Sequence, residues 1–281
     1  MRGPSLADSP MIHPTASIHP TAILGDQVEV GEFCVIGANV RLGVGTRLRA
    51  HAIVRDGCEL GQAVLVDSFC VVGGDAQMRV MDPAALGGRV VIGDRCVLRE
   101  AVTVNRPSKA GGCTTIGNDC FLMANTHVGH DCVVGDFVTT ANNVMLAGHV
   151  HLGAHTFVGG GAGIHQFVRI GPGSMIAGNA ALSYDVPPFA IAADRNDICG
   201  LNLIGLKRRG LGGDVLADLK RCFRAVFFGG GNLRAAAAAA LAGGELGITA
   251  PGREFLEFFA SGKRGFAQAR SRKHGRETAP E

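Results

Sequence analysis

A repeat of six residues constrains the fold of this 281-residue chain more than any other feature of its sequence. A period of six fits neither an isolated helix nor a two-sided strand, and it is typical of a β-helix in which each hexapeptide forms one side of a triangular coil. Three hexapeptides, or about 18 residues, then complete one coil. Apolar residues occupy the repeat positions without a slip at Ile12, Ile18, Leu24, Val30, Ile36, Leu42, Leu48, Val54, Leu60, Val66 and Val72.

The interruptions of this repeat predict the domain organisation. We expect a solenoid over 12–186 with inserted loops at 74–91 and 105–115, where the register is lost and then regained. Loops inserted into a rigid solenoid leave its flank and often carry function. Residues 1–11 lie outside the repeat and are expected to form a flexible N-terminus.

The chain changes character towards its C-terminus. Pro187 and Pro188 cannot donate to a β-ladder, and the apolar period beyond them becomes helical. This change predicts a C-terminal α-helical domain over 187–269, in which Asp214 caps a helix, and a flexible tail over 270–281. The expected fold class is therefore an all-β parallel β-helix followed by helices.

The repeat also converts sequence separation into distance. Residues about 18 apart stack on successive coils at the inter-strand spacing of ~4.8 Å. Counted from the apolar residue, the first and fifth positions of each hexapeptide point inward, and the second to fourth form a corner. His130, Gly148 and Gln166 are thus predicted to form one column at a corner, where a second column contains Asp131 and His149. A base, a carboxylate and a glycine backbone converge there.

Composition excludes several classes of function. The net charge is +3, the pI is about 8.4 and aromatic residues make up 5% of the chain. This charge is too small, and stacking side chains are too few, to indicate a nucleic-acid partner. The sequence contains no apolar stretch of membrane-spanning length, and its N-terminus does not resemble a signal peptide. A soluble, cytoplasmic protein is expected.

The nine cysteines agree with a reducing compartment. The sequence contains no CxxC pair, so a zinc knuckle is not expected. Cys113, Cys199 and Cys222 lie outside the register, and their environment stays open. The other six occupy the fifth, inward position of a hexapeptide and are expected to be core residues: Cys34, Cys58, Cys70, Cys96, Cys120 and Cys132.

Five strings are more distinctive than the repeat itself: NTHVGHDC at 125–132, LAGHV at 146–150, HQF at 165–167, DVPP at 185–188 and GLKRRG at 205–210. Hexapeptide repeats alone would indicate only an acyltransferase-like protein. With these strings, the chain resembles, over nearly its whole length, the acyl-carrier-protein-dependent UDP-N-acetylglucosamine O-acyltransferases that begin lipid A biosynthesis.

The resemblance implies a left-handed parallel β-helix that assembles as a homotrimer with active sites between subunits. It implies transfer of a 3-hydroxyacyl chain from acyl carrier protein to the 3-hydroxyl of UDP-N-acetylglucosamine, the first step of lipid A biosynthesis. Neither a metal ion nor an organic cofactor is expected for this chemistry.

The resemblance also implies roles for individual residues. His130 would be the general base for the sugar hydroxyl, Asp131 would orient it, and the backbone N–H of Gly148 would hold the oxyanion. The chemistry agrees, because a neutral imidazole accepts a hydroxyl proton and a donor at a developing oxyanion is typically worth ~3 to 4 kcal/mol. Substrate contacts are implied for Gln77, His127, His149, His165 and Gln166, nucleotide phosphate contacts for Arg208 and Arg209, and a limit on acyl length for Gly178.

Two loops depart from the family pattern. The usual Gln-Asp-Leu-Lys-Tyr becomes Gln77 followed by Met-Arg-Val-Met at 78–81, so that an acidic and a basic group are missing. Arg79 or Arg89 is a candidate replacement for the lysine. The usual Arg-Gly-Thr becomes Arg-Pro-Ser at 106–108. These changes concern substrate recognition rather than acyl transfer.

Two alternatives stay open at this stage. The missing loop charges allow the same chemistry on a different UDP-amino sugar, such as the 3-amino analogue. A γ-class carbonic anhydrase also uses a left-handed β-helix, and His127 with His130, or His151 with His155, are metal ligands by type. The helical C-terminal third is not needed for that chemistry and counts against it.

Overall fold

A computed structural model describes the chain over 11–79 and 88–269. Residues 80–87 of the first loop lie outside the described residues. So do the tail at 270–281 and most of the N-terminus, for which we predict flexibility. Met11, at the end of that N-terminal segment, belongs instead to the first strand and pairs with Glu29.

The solenoid consists of short parallel strands that follow one another around three sheets, and each strand pairs with the strand one coil later. At the C-terminal end of sheet A, Ala190–Ala193 pairs antiparallel with Asp197–Leu201. Sheet A contains Met11–Ile12, Glu29–Val30, Arg47–Leu48, Leu65–Val66, Val97–Leu98, Phe121–Leu122, Thr139–Thr140, Phe157–Val158, Met175–Ile176, Ala190–Ala193, Asp197–Leu201 and Gln268–Ala269. Sheet B contains Ser17–Ile18, Val35–Ile36, Ile53–Val54, Val71–Gly74, Thr103–Asn105, His127–Val128, Met145–Leu146, Gly163–Ile164 and Ala181–Leu182. Sheet C contains Ile23–Leu24, Arg41–Leu42, Glu59–Leu60, Arg89–Ile92, Cys113–Ile116, Val133–Val134, His151–Leu152 and Arg169–Ile170.

The core runs along the inside of the solenoid and uses the two predicted inward positions. Val128 and Cys132, the first and fifth residues of one hexapeptide, are both fully buried. All six cysteines that the register directs inward are buried. Burial raises the pKa of the Cys132 thiol to about 12, so this side chain stays protonated and packs as a small apolar group. Of the three open cases, Cys222 is buried, Cys113 is half-buried and Cys199 is exposed.

Each hexapeptide contains a tight corner at its second to fourth positions, and we name the corners A–B, B–C and C–A after the sheets that they join. The last corner residue adopts a left-handed backbone conformation, with φ of 60°, 60° and 67° at Asp131, His149 and Phe167. Such values are uncommon for residues other than glycine. A backbone hydrogen bond between coils holds the corner, as where His149 N donates to His130 O at 2.8 Å.

Both interruptions of the repeat lie at the B–C corner. The first separates Val71–Gly74 of sheet B from Arg89–Ile92 of sheet C, and the second separates Thr103–Asn105 from Cys113–Ile116. The strands extend into both predicted loops, so the second loop is only 106–112 rather than 105–115. Its ends are longer strands because four-residue pairing connects Arg89–Ile92 with Cys113–Ile116.

The solenoid also continues beyond the predicted boundary at 186. Ala190–Ala193 lies parallel to Met175–Ile176 and extends sheet A. Pro187 and Pro188 occupy the last C–A corner, where no further coil requires their missing N–H groups. Two prolines therefore end sheet C without ending the solenoid.

The helical region contains four α-helices and a short 3₁₀ helix: α1 Leu203–Arg208, α2 Gly213–Phe228, α3 Leu233–Gly243, α4 Ala250–Glu257 and the 3₁₀ helix Phe258–Ala260. The predicted cap at Asp214 is wrong, because the residue before α2 is Gly212 and Asp214 lies in the first turn. There its carboxylate still interacts favourably with the positive end of the helix dipole. None of the described helices is long and apolar enough to cross a membrane.

A buried ion pair attaches the helices to the solenoid. Asp185 is fully buried and accepts a hydrogen bond from Arg169 Nε at 2.8 Å, and Arg169 Nη2 forms an ion-pair contact with the same carboxylate oxygen at 2.8 Å. The same guanidinium donates to the carbonyl of Ser261 at 2.8 Å. Burial raises the pKa of Asp185 although Arg169 opposes this effect, so the pair depends on close contact of the two groups.

Candidate active site

A cavity of about 740 Å³ lies on the outer face of sheet B and at the B–C corner. It contains six of the residues predicted from the sequence: Gln77, His127, His130, Gly148, His165 and Gln166. The two loops belong to earlier coils, and the other five residues lie in the three stacked coils that follow. The predicted columns are therefore present and share one concave surface.

His130 and Asp131 form a hydrogen-bonded pair at the rim of this cavity. His130 Nδ1 lies 2.8 Å from Asp131 Oδ2, and the two side chains are only 15% and 17% exposed. Burial by itself raises the pKa of Asp131, but hydrogen bonds from His130 and from the Ser108 backbone outweigh it, so the pKa lies below its usual range. Asp131 is thus a carboxylate at neutral pH, and it can hold His130 with Nε2 free to act as a base.

Gly148 lies directly against the imidazole of His130. A Cβ atom built on Gly148 would lie 2.5 Å from His130 Nε2, so no other residue fits here without moving the base. The glycine backbone and the reactive nitrogen therefore face the same small volume. This arrangement can deliver a base and a backbone donor to one carbonyl carbon.

His127 and His149 flank the pair as neutral groups. His127 is hydrogen-bonded to the Thr103 hydroxyl at 2.8 Å, and burial, followed by the nearby His130, lowers its pKa. His149 stacks on Phe167 with ring centroids 4.6 Å apart, and its pKa is also lowered, mainly by burial. Both imidazoles are therefore suited to hydrogen bonding with substrate rather than to carrying charge.

Arg264, from the end of the helical region, holds His165 and Gln166. Its Nη2 donates to His165 Nδ1 at 2.9 Å, and its Nε donates to the carbonyl of Gln166 at 3.2 Å. Because Nδ1 accepts this bond, Nε2 of His165 must carry the proton and act as a donor. Sequence reasoning missed Arg264, which has no register relation to the solenoid.

Two further cavity residues were not predicted. Asn105 is 6% exposed, its Nδ2 donates to the carbonyl of Asp75 at 2.8 Å, and its Oδ1 has no hydrogen-bond partner within the described residues. Arg195, in the turn after the last parallel strand, brings a cation to the cavity. The buried, unpaired amide oxygen was not detectable from sequence because it depends on the loop conformation.

Arg89 does not replace the missing lysine of the first loop. It lies on the outer face of sheet C, where Nη1 forms a 2.9 Å ion pair with Glu59, and it does not line the cavity. This expectation was wrong because the loop is shorter than predicted and Arg89 already belongs to a strand. Arg79, the other candidate, is exposed and also does not line the cavity.

Three predicted residues lie away from the cavity in the same chain. Arg208 ends α1 and Arg209 follows it, with the Arg209 guanidinium beside Gly173 at the C–A corner. Gly178 lies at the A–B corner. One subunit therefore does not bring these residues to His130.

The histidines considered as ligands for a metal enzyme do not form one cluster. Within the described residues, the single group of three that could hold a metal ion is His130, Asp131 and His149, whose ligand atoms lie within 4.8 Å of one another. His151 lies on the outer face of sheet C, and His155 stacks on a phenylalanine at the C–A corner. Of the two pairs considered for a carbonic anhydrase site, His151 with His155 lies outside this group, and His127 with His130 shares only His130 with it.

Two family profiles match the chain. The profile described as UDP-N-acetylglucosamine O-acyltransferase, domain 2, matches residues 185–267, and the bacterial transferase hexapeptide profile matches 113–148. The acyl-[acyl-carrier-protein]–UDP-N-acetylglucosamine O-acyltransferase of Sinorhizobium medicae is 38% identical over 190 residues, 67% of this chain and 69% of the relative. The enzyme of the same name from Sinorhizobium fredii is 37% identical over 219 residues, 77% of this chain and 80% of the relative.

Solved structures agree with these relatives. The UDP-N-acetylglucosamine acyltransferase of Francisella novicida superimposes with a TM-score of 0.87 at 30% identity, covering 93% of this chain and 95% of that one. The enzyme of the same name from Campylobacter jejuni gives a TM-score of 0.84 at 36% identity, covering 92% of this chain and 100% of that one. The match spans solenoid and helices, and it confirms the predicted fold class, a left-handed parallel β-helix followed by helices.

Proposed function

Since this chain belongs to the acyl-[acyl-carrier-protein]–UDP-N-acetylglucosamine O-acyltransferases, we propose that it transfers a 3-hydroxyacyl chain from acyl carrier protein to the 3-hydroxyl of UDP-N-acetylglucosamine, the first step of lipid A biosynthesis. The observation that carries the proposal is the alignment of Asp131, His130 and the Gly148 backbone along one edge of the cavity. A carboxylate, a base and an N–H donor in this order are the groups that hydroxyl acylation requires.

The reaction then follows from the position of each group. His130 Nε2 takes the proton of the sugar 3-hydroxyl while the oxygen attacks the thioester carbonyl carbon. The Gly148 N–H donates to the oxyanion of the tetrahedral intermediate. When the intermediate collapses, the C–S bond breaks and the imidazolium of His130 returns its proton to the leaving thiolate of the carrier protein. Asp131 stabilises the imidazolium between these two transfers.

The neutral histidines and the arginines have binding roles in this proposal. His127, His149, His165 and Gln166, with Gln77 of the first loop, contact the substrates. Arg208 and Arg209 bind the nucleotide phosphates, and Gly178 leaves room for the acyl chain. The two arginines and Gly178 lie away from the cavity in the same chain, so these roles require a second subunit beside the cavity.

The outer surfaces of the three sheets support a homotrimer. Most outward residues of sheet C are polar, at Arg41, Glu59, Arg89, Thr115, His151 and Arg169, although Ile23, Val91 and Val133 also face outward. Those of sheet A are largely apolar over the central and last coils, at Leu65, Val97, Phe121, Phe157 and Met175, with Thr139 among them. Sheet B has apolar residues at Ile53, Val71 and Met145, beside the polar or small residues Thr103, His127, Gly163 and Ala181. Exposed apolar faces of this kind mark contact surfaces, and a closed ring would cover them.

Sedimentation equilibrium tests the trimer with a matched pair of variants. Met175→Arg places a charge on the apolar face of sheet A and is expected to dissociate the assembly. Thr115→Arg places the same charge on sheet C and is expected to leave the mass unchanged. A wild-type protein that sediments as a monomer contradicts the assembly and, with it, the shared roles of Arg208, Arg209 and Gly178.

A transfer assay with 3-hydroxyacyl carrier protein tests the function. Wild type and His130→Ala are each supplied with UDP-N-acetylglucosamine or with its 3-amino analogue. We expect turnover of the hydroxyl sugar that disappears in the variant. Transfer to the amino analogue alone would keep the mechanism and change the acceptor, whereas a folded wild type that acylates neither sugar would refute the proposed function.

A further inference from the structure

The corner hydrogen bonds follow one rule along most of the solenoid. Each corner has three residues. The N–H of the third donates to the carbonyl of the second corner residue in the coil before it. His149 N donates to His130 O at 2.8 Å, and Phe167 N donates to Gly148 O at 3.2 Å. The rule also holds at the C–A corner, where Asp119 N donates to the backbone carbonyl one coil earlier at 2.9 Å.

Asp131 departs from this rule, as do Phe33 and Asn39 in the first coils, whose N–H groups donate to the hydroxyls of Thr15 and Thr21 at 3.0 and 2.9 Å. The backbone N–H of Asp131 donates to the hydroxyl oxygen of Thr114 at 2.9 Å instead of to a carbonyl. The reason is the second loop, 106–112, which replaces the corner that would lie one coil before Asp131. Thr114 points into the core and is fully buried, so its hydroxyl has little freedom to leave this contact.

The same loop also binds the side chain of Asp131. The backbone N–H of Ser108 donates to Asp131 Oδ2 at 2.9 Å, the oxygen that also contacts His130 Nδ1 at 2.8 Å. One carboxylate oxygen is thus held both by the loop and by the base. The backbone of Asp131 is held independently through Thr114.

The loop is itself attached firmly to the first interruption of the repeat. Arg106 Nε donates to the carbonyl of Gly73 at 3.0 Å, and the Arg106 N–H donates to the carbonyl of Gly74 at 2.8 Å. Pro107 packs so closely on Gly88 that a Cβ at Gly88 would overlap its ring. These contacts fix the position from which Ser108 reaches Asp131.

We propose that the second loop and the strand that follows it form a positioning device for the general base, in which the Ser108 N–H of the loop and the Thr114 hydroxyl of the strand fix Asp131 against His130. This inference rests on the proposed acyl transfer. Ser108 and Thr114 are positioning residues, because they act on the reaction only through Asp131. The loop thereby sets which imidazole nitrogen donates to the carboxylate and where Nε2 points.

A positioning role predicts a specific kinetic change. When the carboxylate is released, His130 loses its alignment with the sugar hydroxyl, and a displacement of about 1 Å can cost ~100-fold in rate. We expect kcat to fall and KM for UDP-N-acetylglucosamine to change little, since neither Ser108 nor Thr114 lines the cavity. A general loss of folding would instead lower the active fraction and the melting temperature.

Substitutions at Thr114 test this role directly. Thr114→Val keeps the shape and removes the hydroxyl, and we expect kcat to fall by about tenfold or more. Thr114→Ser restores the hydroxyl and should recover most of the rate. Thr126→Val is the matched control, because Thr126 is equally buried and occupies an inward position, with its hydroxyl bonded to Thr140 rather than to Asp131.

Substitutions at Ser108 provide a second, independent pair. Ser108→Pro removes the backbone N–H and should lower kcat. Ser108→Ala retains the N–H and removes only the hydroxyl, which also helps to lower the pKa of Asp131, so kcat should fall less than in Ser108→Pro. The proposal is overturned if Thr114→Val keeps wild-type kcat, or if Thr126→Val loses as much. A wild type without transfer activity would instead refute the proposed function, and it is measured before any variant.

Discussion

The B–C and C–A corners of the same coils use the same backbone conformation for different purposes. Asp119 at the C–A corner has φ of 55° and Asp131 at the B–C corner has φ of 60°. Asp119 is neutralised by a two-pronged ion pair with Arg95, at 2.7 and 2.6 Å, which lowers its pKa. Asp131 faces an imidazole and a backbone N–H. One carboxylate completes a surface ion pair, and the other orients a base.

The histidines show the same contrast. His155 stacks on Phe137 at the C–A corner with ring centroids 4.7 Å apart, much as His149 stacks on Phe167 at the B–C corner. What differs is the presence of two inserted loops, both at the B–C corner: the first lines the cavity through Gln77, and the second supplies Ser108 to Asp131. A repeated corner thus becomes a site only where the repeat is interrupted.

The largest difference between the two corners is expected from equivalent histidine substitutions. His130→Gln removes the base, and a general base typically contributes about 10²- to 10⁴-fold to the rate, so kcat should fall within this range. His155→Gln at the C–A corner should leave kcat near wild type. Steady-state transfer assays on both variants measure the contrast, and equal losses would place the chemistry elsewhere.

A second pair of substitutions exchanges glycine and alanine at equivalent positions of the two corners. Gly148 and Ala154 occupy the same hexapeptide position, but only at the B–C corner does a Cβ collide with an imidazole. Gly148→Ala should displace His130 and lower kcat by about 100-fold, as misplacement of a reacting group does. Ala154→Gly is the control and should keep its turnover. A fully active Gly148→Ala would contradict the close approach of the glycine backbone and the base.

A smaller effect is expected where the helical region meets the site. Arg264→Gln removes the donor that fixes the tautomer of His165, so KM for the nucleotide sugar should rise several-fold, consistent with loss of about 1 kcal/mol of hydrogen bonding. Lys263→Gln removes an exposed neighbouring charge and should have no such effect. Initial rates over a range of sugar concentrations separate KM from kcat. An unchanged KM in Arg264→Gln would show that this contact does not serve binding.

Both corners should contribute to acid sensitivity. Burial is the main cause of the lowered pKa of His149 and of His155, so each binds a proton more readily in the unfolded chain. Folding stability is therefore complete above the unfolded pKa of ~6.5 and is lost as pH falls through and below it. Melting temperatures between pH 7.5 and 5.5 should fall, and His155→Gln should reduce the fall without reducing turnover. A flat profile in wild type contradicts the expected direction.

The smallest effect is expected from the exposed ion pair. Asp119→Asn breaks the contact with Arg95, but pairs in solvent contribute little because water and salt screen them. Thermal unfolding should change only slightly and kcat should not change. Asp131→Asn, the same substitution at the B–C corner, should abolish most of the activity. Comparable activity in the two variants would remove the distinction between the corners.

The sequence predicted the part of the site that lies within the repeat. His130, Gly148 and Asp131 come together because their spacing is a property of the hexapeptide period and the strand separation. The cap at Asp214, the end of the solenoid at 186 and the use of Arg89 in the first loop were wrong. Each of these predictions depended on where a helix, a strand or the solenoid begins or ends. A shift of a few residues there changes the surroundings of the side chain.

The residues that sequence reasoning missed have no period to place them. Ser108 lies in an interrupted segment, and Arg264 reaches His165 from 99 residues away in the chain. Asn105 is distinguished by its amide oxygen, which the fold leaves buried and without a hydrogen-bond partner within the described residues. The roles of Arg208, Arg209 and Gly178 stay predictions, because one subunit places them away from the cavity.

The sequence by itself determined the coil, the register, the inward cysteines and which residues share a corner, because a parallel ladder converts each period of about 18 residues into one strand spacing. Only the tertiary structure decided that the second loop binds the carboxylate of Asp131 and that Arg264 binds His165. These contacts depend on the path of inserted and helical segments through space. No local repeat specifies that path.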